Sequence, residues 1–140
     1  MREIKFRAWD KEKQFMFTPT EIEITQGENF DKWDKWRPMA WRDELPEEGS
    51  GGIGRALGDE CELMQFTGIK DKNGKDIYEG DIVRISGHPF QGSIDIDGNY
   101  EVGYNEYMEL CCGNLLLFRT RNYAEVIGNI YESPELLGTK

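Results

Sequence analysis

The chain has 140 residues, of which 38% are hydrophobic, 12% aromatic and 31% charged, with a formal net charge of −10 and a pI near 4.6. That length suits one domain able to bury roughly 68% of its unfolded surface, so a core needs neither disulfides nor metals. The composition excludes a disordered chain, no apolar run reaches the ~20 residues of a bilayer span, and the negative field opposes non-specific binding to nucleic acid or anionic membranes.

At the start of the chain, Ile4, Phe6 and Ala8 alternate with Lys5, Arg7 and Trp9. This is a period-two strand with one apolar face, and Trp9 covers the other side or an edge. The N-terminus lacks the apolar h-region of a secretory signal, so a cytoplasmic protein is expected. Asp10 to Lys13 is a polar turn, Gln14 to Thr18 a returning strand, and Glu21 to Thr25 a further alternating run. Antiparallel strands are therefore expected over the first 25 residues.

Phe30, Trp33 and Trp36 recur every third residue, with Asn29 as an N-cap and Pro38 as a stop. The spacing predicts one or two helical turns. Together with Trp41 these aromatics read either as core cover or an oligomer contact, the favoured reading, or as an exposed platform; Trp33, Trp36 and Trp41 are candidate binding residues on the latter. Residues 43 to 62 carry seven carboxylates against one cation, Arg55. Within them, residues 43–60 are rich in glycine and read as a flexible, solvated loop. The spacing in Gly49 to Gly54 mimics a nucleotide fingerprint but follows no strand of a βαβ unit, so that reading is rejected. One domain is expected: a tryptophan-bearing β part over 1–42, the loop over 43–60 and a barrel-like part over 61–140.

Two strand-like runs flank Asn73-Gly74 within Leu63 to Ile85. The dipeptide is a strong signal for a tight hairpin, because a type I′ turn needs φ > 0 at both central residues. A second corner follows at Glu79-Gly80-Asp81, leading into Ile82 to Ile85. Ser86 to Pro89 reads as a turn, and Asp97-Gly98-Asn99 as a tight hairpin turn between the runs Gly92–Ile96 and Tyr100–Tyr104. Tyr107–Cys112 and Leu115–Arg119 pair across Gly113-Asn114. Ala124–Tyr131 is the last strand, with Gly128 marking a bulge or a close backbone approach, and Ser133-Pro134 opens one short helical turn. The fold class expected is mainly β: a small antiparallel barrel with N-terminal strands and a few short helical turns.

Three segments carry a resemblance: Arg2 to Asp10, Leu63 to Val83, and Glu125 to Leu137. Together, in this order, they resemble the YopX family of phage and prophage proteins. The resemblance leaves residues 26–60 and 86–122 without a motif. It implies an SH3-like β-barrel, a phage or prophage origin and a bacterial host cell, and it brings no catalytic residues with it. The Gly80-Asp81 corner before Ile82-Val83 suits such a barrel independently, since Gly permits the sharp turn and Asp can accept from a nearby backbone N–H.

Few residues of the chain fall into patterns that carry chemistry. The single histidine, His88, precedes Pro89 and has no nucleophile elbow beside it. Cys61 stands alone and Cys111-Cys112 are adjacent, which is neither a disulfide framework nor a zinc spacing. Neighbouring strand residues face opposite ways, so Cys111 and Cys112 are expected in different environments. In Asp71 to Gly74 and Asp95 to Asn99 the glycine comes fourth, not sixth as in an EF-hand, so both read as turns. Arg119 and Arg121 share a face if their strand continues and are candidates to contact a phosphate or carboxylate, although ion pairs with surface acids are the favoured reading. No cofactor and no metal are expected. The leading functional expectation is a non-enzymatic protein-interaction module that forms a homo-oligomer. Alternatives are an acidic mimic of nucleic acid that occupies a basic host protein, and a nucleic-acid-binding barrel using Arg119, Arg121 and the tryptophans. No membrane partner is expected.

Overall fold

The computed structural model describes residues 3–24, 38–49, 51–87 and 96–138. The chain divides into two compact units, Phe6–Met64 and a second one formed by Met1–Lys5 with Gln65–Lys140. The fold is mainly β, with antiparallel sheets, one of them curled into a half-barrel, and few helices.

In the N-terminal unit, β1 (Phe6–Asp10) and β2 (Phe15–Phe17) form a hairpin in which Ala8 faces Phe17 and Asp10 faces Phe15. The turn is held from within. Asp10 Oδ1 accepts from the backbone N–H groups of Glu12 and Lys13, and Gln14 closes the turn at a φ of 59°. The sheet continues from β1 to β6 (Cys61–Lys70), a strand whose first four residues belong to this unit. A second antiparallel sheet runs β3 (Glu21–Glu23), β4 (Met39–Arg42), β5 (Ile53–Ala56). Ala8, Phe17, Ala40 and Cys61 make the core, with Phe15, Leu57 and Leu63 packed on it.

The expected helical turns over residues 28–42 fall mostly outside the described residues; from Met39 onward the chain is strand. Stretch 43–60, expected as a loop, contains a 3-10 turn at Pro46–Glu48 and the strand β5. Its glycine content hides that strand. Gly54 lies opposite Trp41 across the ladder, and a Cβ there would stand 3.0 Å from the Trp41 ring and from the Met39 methyl group. The glycine is what lets β5 lie under a large side chain.

In the C-terminal unit, β6 continues and pairs with β7 (Asp76–Tyr78). A five-stranded antiparallel sheet follows in the order β11-β10-β9-β8-β12. Its strands are β8 (Asp81–Ile85), β9 (Gly98–Tyr104), β10 (Leu110–Cys112), β11 (Leu115–Leu116) and β12 (Ala124–Asn129). Two short helices, α1 (Leu117–Thr120) and α2 (Glu135–Gly138), flank β12 in sequence, and a 3-10 turn at Arg121–Tyr123 follows α1 directly. The core is Ile77, Val83, Ile85, Ile96, Val102, Cys112, Leu117 and Ala124.

The hairpin at Asn73-Gly74 is present, but its turn is wider than a two-residue one. Lys70 pairs with Asp76, so five residues form the loop, and Gly74 alone has positive φ. Asp71 explains this. Its Oδ1 accepts from the N–H groups of Asn73 and Lys75, which winds the chain into an Asx-type turn. Its Oδ2 accepts from Val126 N–H, so the same carboxylate ties the loop to the edge strand β12. Asp97-Gly98-Asn99 is not a hairpin turn: Gly98 and Asn99 are already in β9, opposite Ile85 and Arg84. Leu115–Arg119 is strand only as far as Leu116, because Leu117 and Thr120 both turn into the core, a spacing that one helical turn satisfies. Gly128 follows the expected bulge, at Ile127, and a Cβ there would stand 3.0 Å from the side chains of Leu136 and Ser133.

Candidate functional site

The N-terminal unit buries charge. Asp10 is fully buried, and Arg42, on β4, is 2% exposed. Asp10 Oδ2 accepts from Arg42 Nε at 3.0 Å and from Arg55 Nε at 3.1 Å. Arg42 also grips Glu48 through two parallel hydrogen bonds, Nη1 to Oε1 at 2.7 Å and Nη2 to Oε2 at 2.8 Å. Such a fork fixes direction as well as strength. Arg55 reaches on to Glu12 at 3.0 Å. Burial pushes the Asp10 carboxyl upward, but the Lys13 N–H and the guanidiniums of Arg55 and Arg42 outweigh it and hold the group below the usual carboxylate range. The Arg42 hydrogen bonds, with the Leu45 N–H, bring Glu48 down to about 2. Each named donor and acceptor in this cluster meets another, so the arrangement fits a structural clasp that secures residues 43–49 to β4.

The thiols of Cys61 and Cys112 are engaged as well. Burial pushes Cys61 up to about 11 and also raises Cys112, whose sulfur lies 3.4 Å from the Thr120 hydroxyl. Cys112 sits in the C-terminal core, and Cys111 faces the other way, into a cavity of about 240 Å³ lined also by Glu101, Gly103, Tyr104, Asn105 and Gly113. That volume is below the ~300–1,000 Å³ of ordinary ligand pockets. Among the described residues no group of three or more His, Cys, Asp or Glu is placed to hold a metal ion, and no helix is long and apolar enough to cross a membrane.

What the C-terminal unit does present is apolar surface on fixed turns. Between β9 and β10, Asn105 Oδ1 accepts from the N–H groups of Tyr107 and Glu109, and Asn105 N–H donates to Glu109 O at 3.0 Å. Met108 is held at a φ of 63°. The result is a locked turn that exposes Tyr107 and Met108, each at 75%. On α1, Phe118 is 64% exposed, and the Arg121 guanidinium carbon lies 4.4 Å from its ring centroid.

The YopX protein family matches residues 5–138. The chain belongs to this family. A solved structure with the same kind of fold, protein EF1440 from Enterococcus faecalis, is 26% identical, with a TM-score of 0.57, over 98% of this chain and 99% of that one. No curated protein matches the chain.

In this YopX family member the candidate residues read from the sequence do not form one site. Trp33, Trp36 and His88 lie outside the described residues. Trp41 is half-buried on β4 and donates through Nε1 to Glu23 Oε1 at 2.5 Å, lying across Gly54. Arg119 and Arg121 lie on α1 and the 3-10 turn after it, not on a strand, and among the described residues neither makes an ion pair. Sequence reasoning missed Tyr107, Met108 and Phe118. Their signal was local: Asn105 followed four residues later by Glu109 brackets an exposed pair, and Leu117 with Thr120 brackets Phe118 and Arg119. It missed the clasp because Asp10 lies 32 residues from Arg42, Glu48 follows Arg42 by six with no regular spacing to mark the pair, and each resembles a surface charge.

Proposed function

We propose that this chain is a phage or prophage accessory protein that works by protein contact, without catalysis, and associates with copies of itself. One observation carries the reading: Tyr107, Met108 and Phe118 stand exposed on turns whose backbones are fixed by hydrogen bonds or buried neighbours. Large apolar side chains displayed on rigid supports lose little entropy on binding and supply most of a contact's affinity. The state of the chemically versatile groups supports the absence of catalysis. Asp10 and Glu48 are engaged by guanidiniums, and the thiols of Cys61 and Cys112 are held in the neutral form by burial.

Light scattering coupled to size exclusion tests the self-association. A mass above that of the monomer is expected at tens of micromolar. Tyr107→Ser with Met108→Ser and Phe118→Ser should return the chain to a monomer without changing its melting temperature. A wild-type monomer across that range would overturn the self-association.

A further inference from the structure

The α1 turn and the residues after it form a ledge on the C-terminal unit. Leu117 is fully buried and Thr120 nearly so, with the Thr120 hydroxyl 3.1 Å from Leu116 O. Those two side chains fix the helical turn, which leaves Phe118 and Arg119 facing outward. Arg121 follows Phe118 by three residues, the spacing at which side chains meet on a helical surface. Its guanidinium stacks on the Phe118 ring. A stacked guanidinium keeps the N–H groups along its edge available, in the geometry that matches a carboxylate. Arg119 and Arg121 make no ion pair with a described residue, whereas Arg42 and Arg55 of the same chain hold Asp10, Glu12 and Glu48 between them.

The N-terminal unit carries the complementary element. Glu48 is clasped by Arg42 and accepts from Leu45 N–H at 2.8 Å, so the turn from Asp43 to Glu48 has a fixed shape. Asp43, Glu44, Pro46 and Glu47 on it are exposed. The three outward carboxylates make no ion pair with a described residue. The turn thus shows acid on either side of an apolar proline; the ledge shows two guanidiniums around an aromatic ring.

We propose that the Phe118–Arg119–Arg121 ledge of one copy receives the Asp43–Glu47 turn of a second copy. The inference rests on the self-association proposed above and names its contact. Carboxylates from Asp43, Glu44 or Glu47 meet the guanidinium edges, and Pro46 lies against Phe118. The chain's net charge of −10 works against any pairing of copies. At physiological ionic strength, charges more than about 8 Å apart are largely screened, while pairs in direct contact are screened much less. Association is therefore strongest at moderate salt, weakened by whole-molecule repulsion at very low salt and by loss of the contact pairs at high salt. A nucleic acid fits less well, because its charge continues along the strand into the same repulsive field.

The test measures the mass of the full chain by light scattering in four forms: wild type, R119E/R121E, E44R/E47R, and all four substitutions combined. Each double reversal is expected to weaken association by about tenfold or more. The combined variant is expected to regain most of it. R119Q/R121Q serves as the milder variant should a reversal fail to fold, as judged by circular dichroism. If the wild type associates and neither reversal nor the milder variant changes its mass, the contact lies elsewhere and this proposal fails while self-association stands. A wild type monomeric at every salt concentration fails both. A shift of a single-stranded DNA oligonucleotide that Arg121→Glu abolishes would assign the ledge to nucleic acid and overturn the proposal.

Discussion

Arg42 is a buried guanidinium in the N-terminal unit. A guanidinium that is 2% exposed is stable only if its donors are met, and Asp10, Glu48 and the Asp43 carbonyl meet them. Breaking such a cluster from one side costs more than removing it whole, because the remaining charge stays buried. Asp10→Ala strips a partner from both Arg42 and Arg55 and is expected to lower stability by about 3–5 kcal/mol. Asp10→Leu combined with Arg42→Met and Glu48→Leu is expected to lose much less, since the buried charges go together and Arg55 keeps its exposed partner Glu12. Urea unfolding of both variants checks the order: the midpoint of the single substitution should lie below that of the triple one. In the sequence, Arg42 simply follows Trp41. A period-two strand places the two on opposite faces, but nothing local says that the charged face is the buried one.

At the scale of elements, the C-terminal unit is held at two corners. Asp71 organises its own turn and caps β12 through Val126 N–H. Burial raises its carboxyl, yet the N–H groups of Val126, Lys75 and Asn73 outweigh that and keep it below its ordinary value. Asp71→Ala leaves those donors without their acceptor, at a cost of about 1–3 kcal/mol for a buried one, and should loosen β12 first. Faster amide hydrogen exchange at Val126 than across β8 would show it. At the second corner, Gly113 has a φ of 59°, and a Cβ there would stand 2.5 Å from the Tyr100 ring. Gly113→Ala is expected to cost about 1–3 kcal/mol from its left-handed backbone alone, and the clash with Tyr100 adds to that; thermal melting measures the sum. These corners explain what the sequence disclosed. The turn residues Asn73-Gly74, Gly80-Asp81 and Gly113-Asn114 marked reversals correctly, because glycine in a left-handed conformation is a local property. The width of the first turn depended on a side chain reaching back along the chain, and β5 on a tryptophan from another strand. Asp97-Gly98-Asn99 misled for the same reason: the partners of Gly98 and Asn99, Ile85 and Arg84, are set by the sheet and not by the turn-like residues.

For the whole molecule, carboxylates held low by their hydrogen bonds and thiols raised by burial set a window of pH. Asp10, Asp71 and Glu48 all have carboxyls held below their ordinary values of 3.8, 3.8 and 4.5. The unfolded chain therefore takes up protons first as the pH falls. Stability from these groups is complete above about 4.5 and is lost progressively as the pH drops toward about 2, where Glu48 itself titrates. Overall charge modifies this. Between pH 7 and the pI near 4.6 the net charge of −10 shrinks, so self-repulsion eases just before the carboxylates begin to fail. The melting temperature should thus hold or rise slightly on going from neutral to mildly acidic pH, then fall steeply. The alkaline edge has the opposite sign of shift. Cys61 is raised from 9.0 to about 11 by burial, and Cys112 is raised as well, so the unfolded chain ionises first and stability declines as the pH climbs from 9 toward 11. Substitution separates the two edges. Glu48→Gln should soften the acid limb and leave the alkaline one unchanged. Cys61→Ala should do the reverse, at the cost of a lower melting temperature throughout from lost packing in the N-terminal core. Melting curves recorded across the full pH range decide it: a single substitution that moved both limbs together would mean that something other than these groups sets the window.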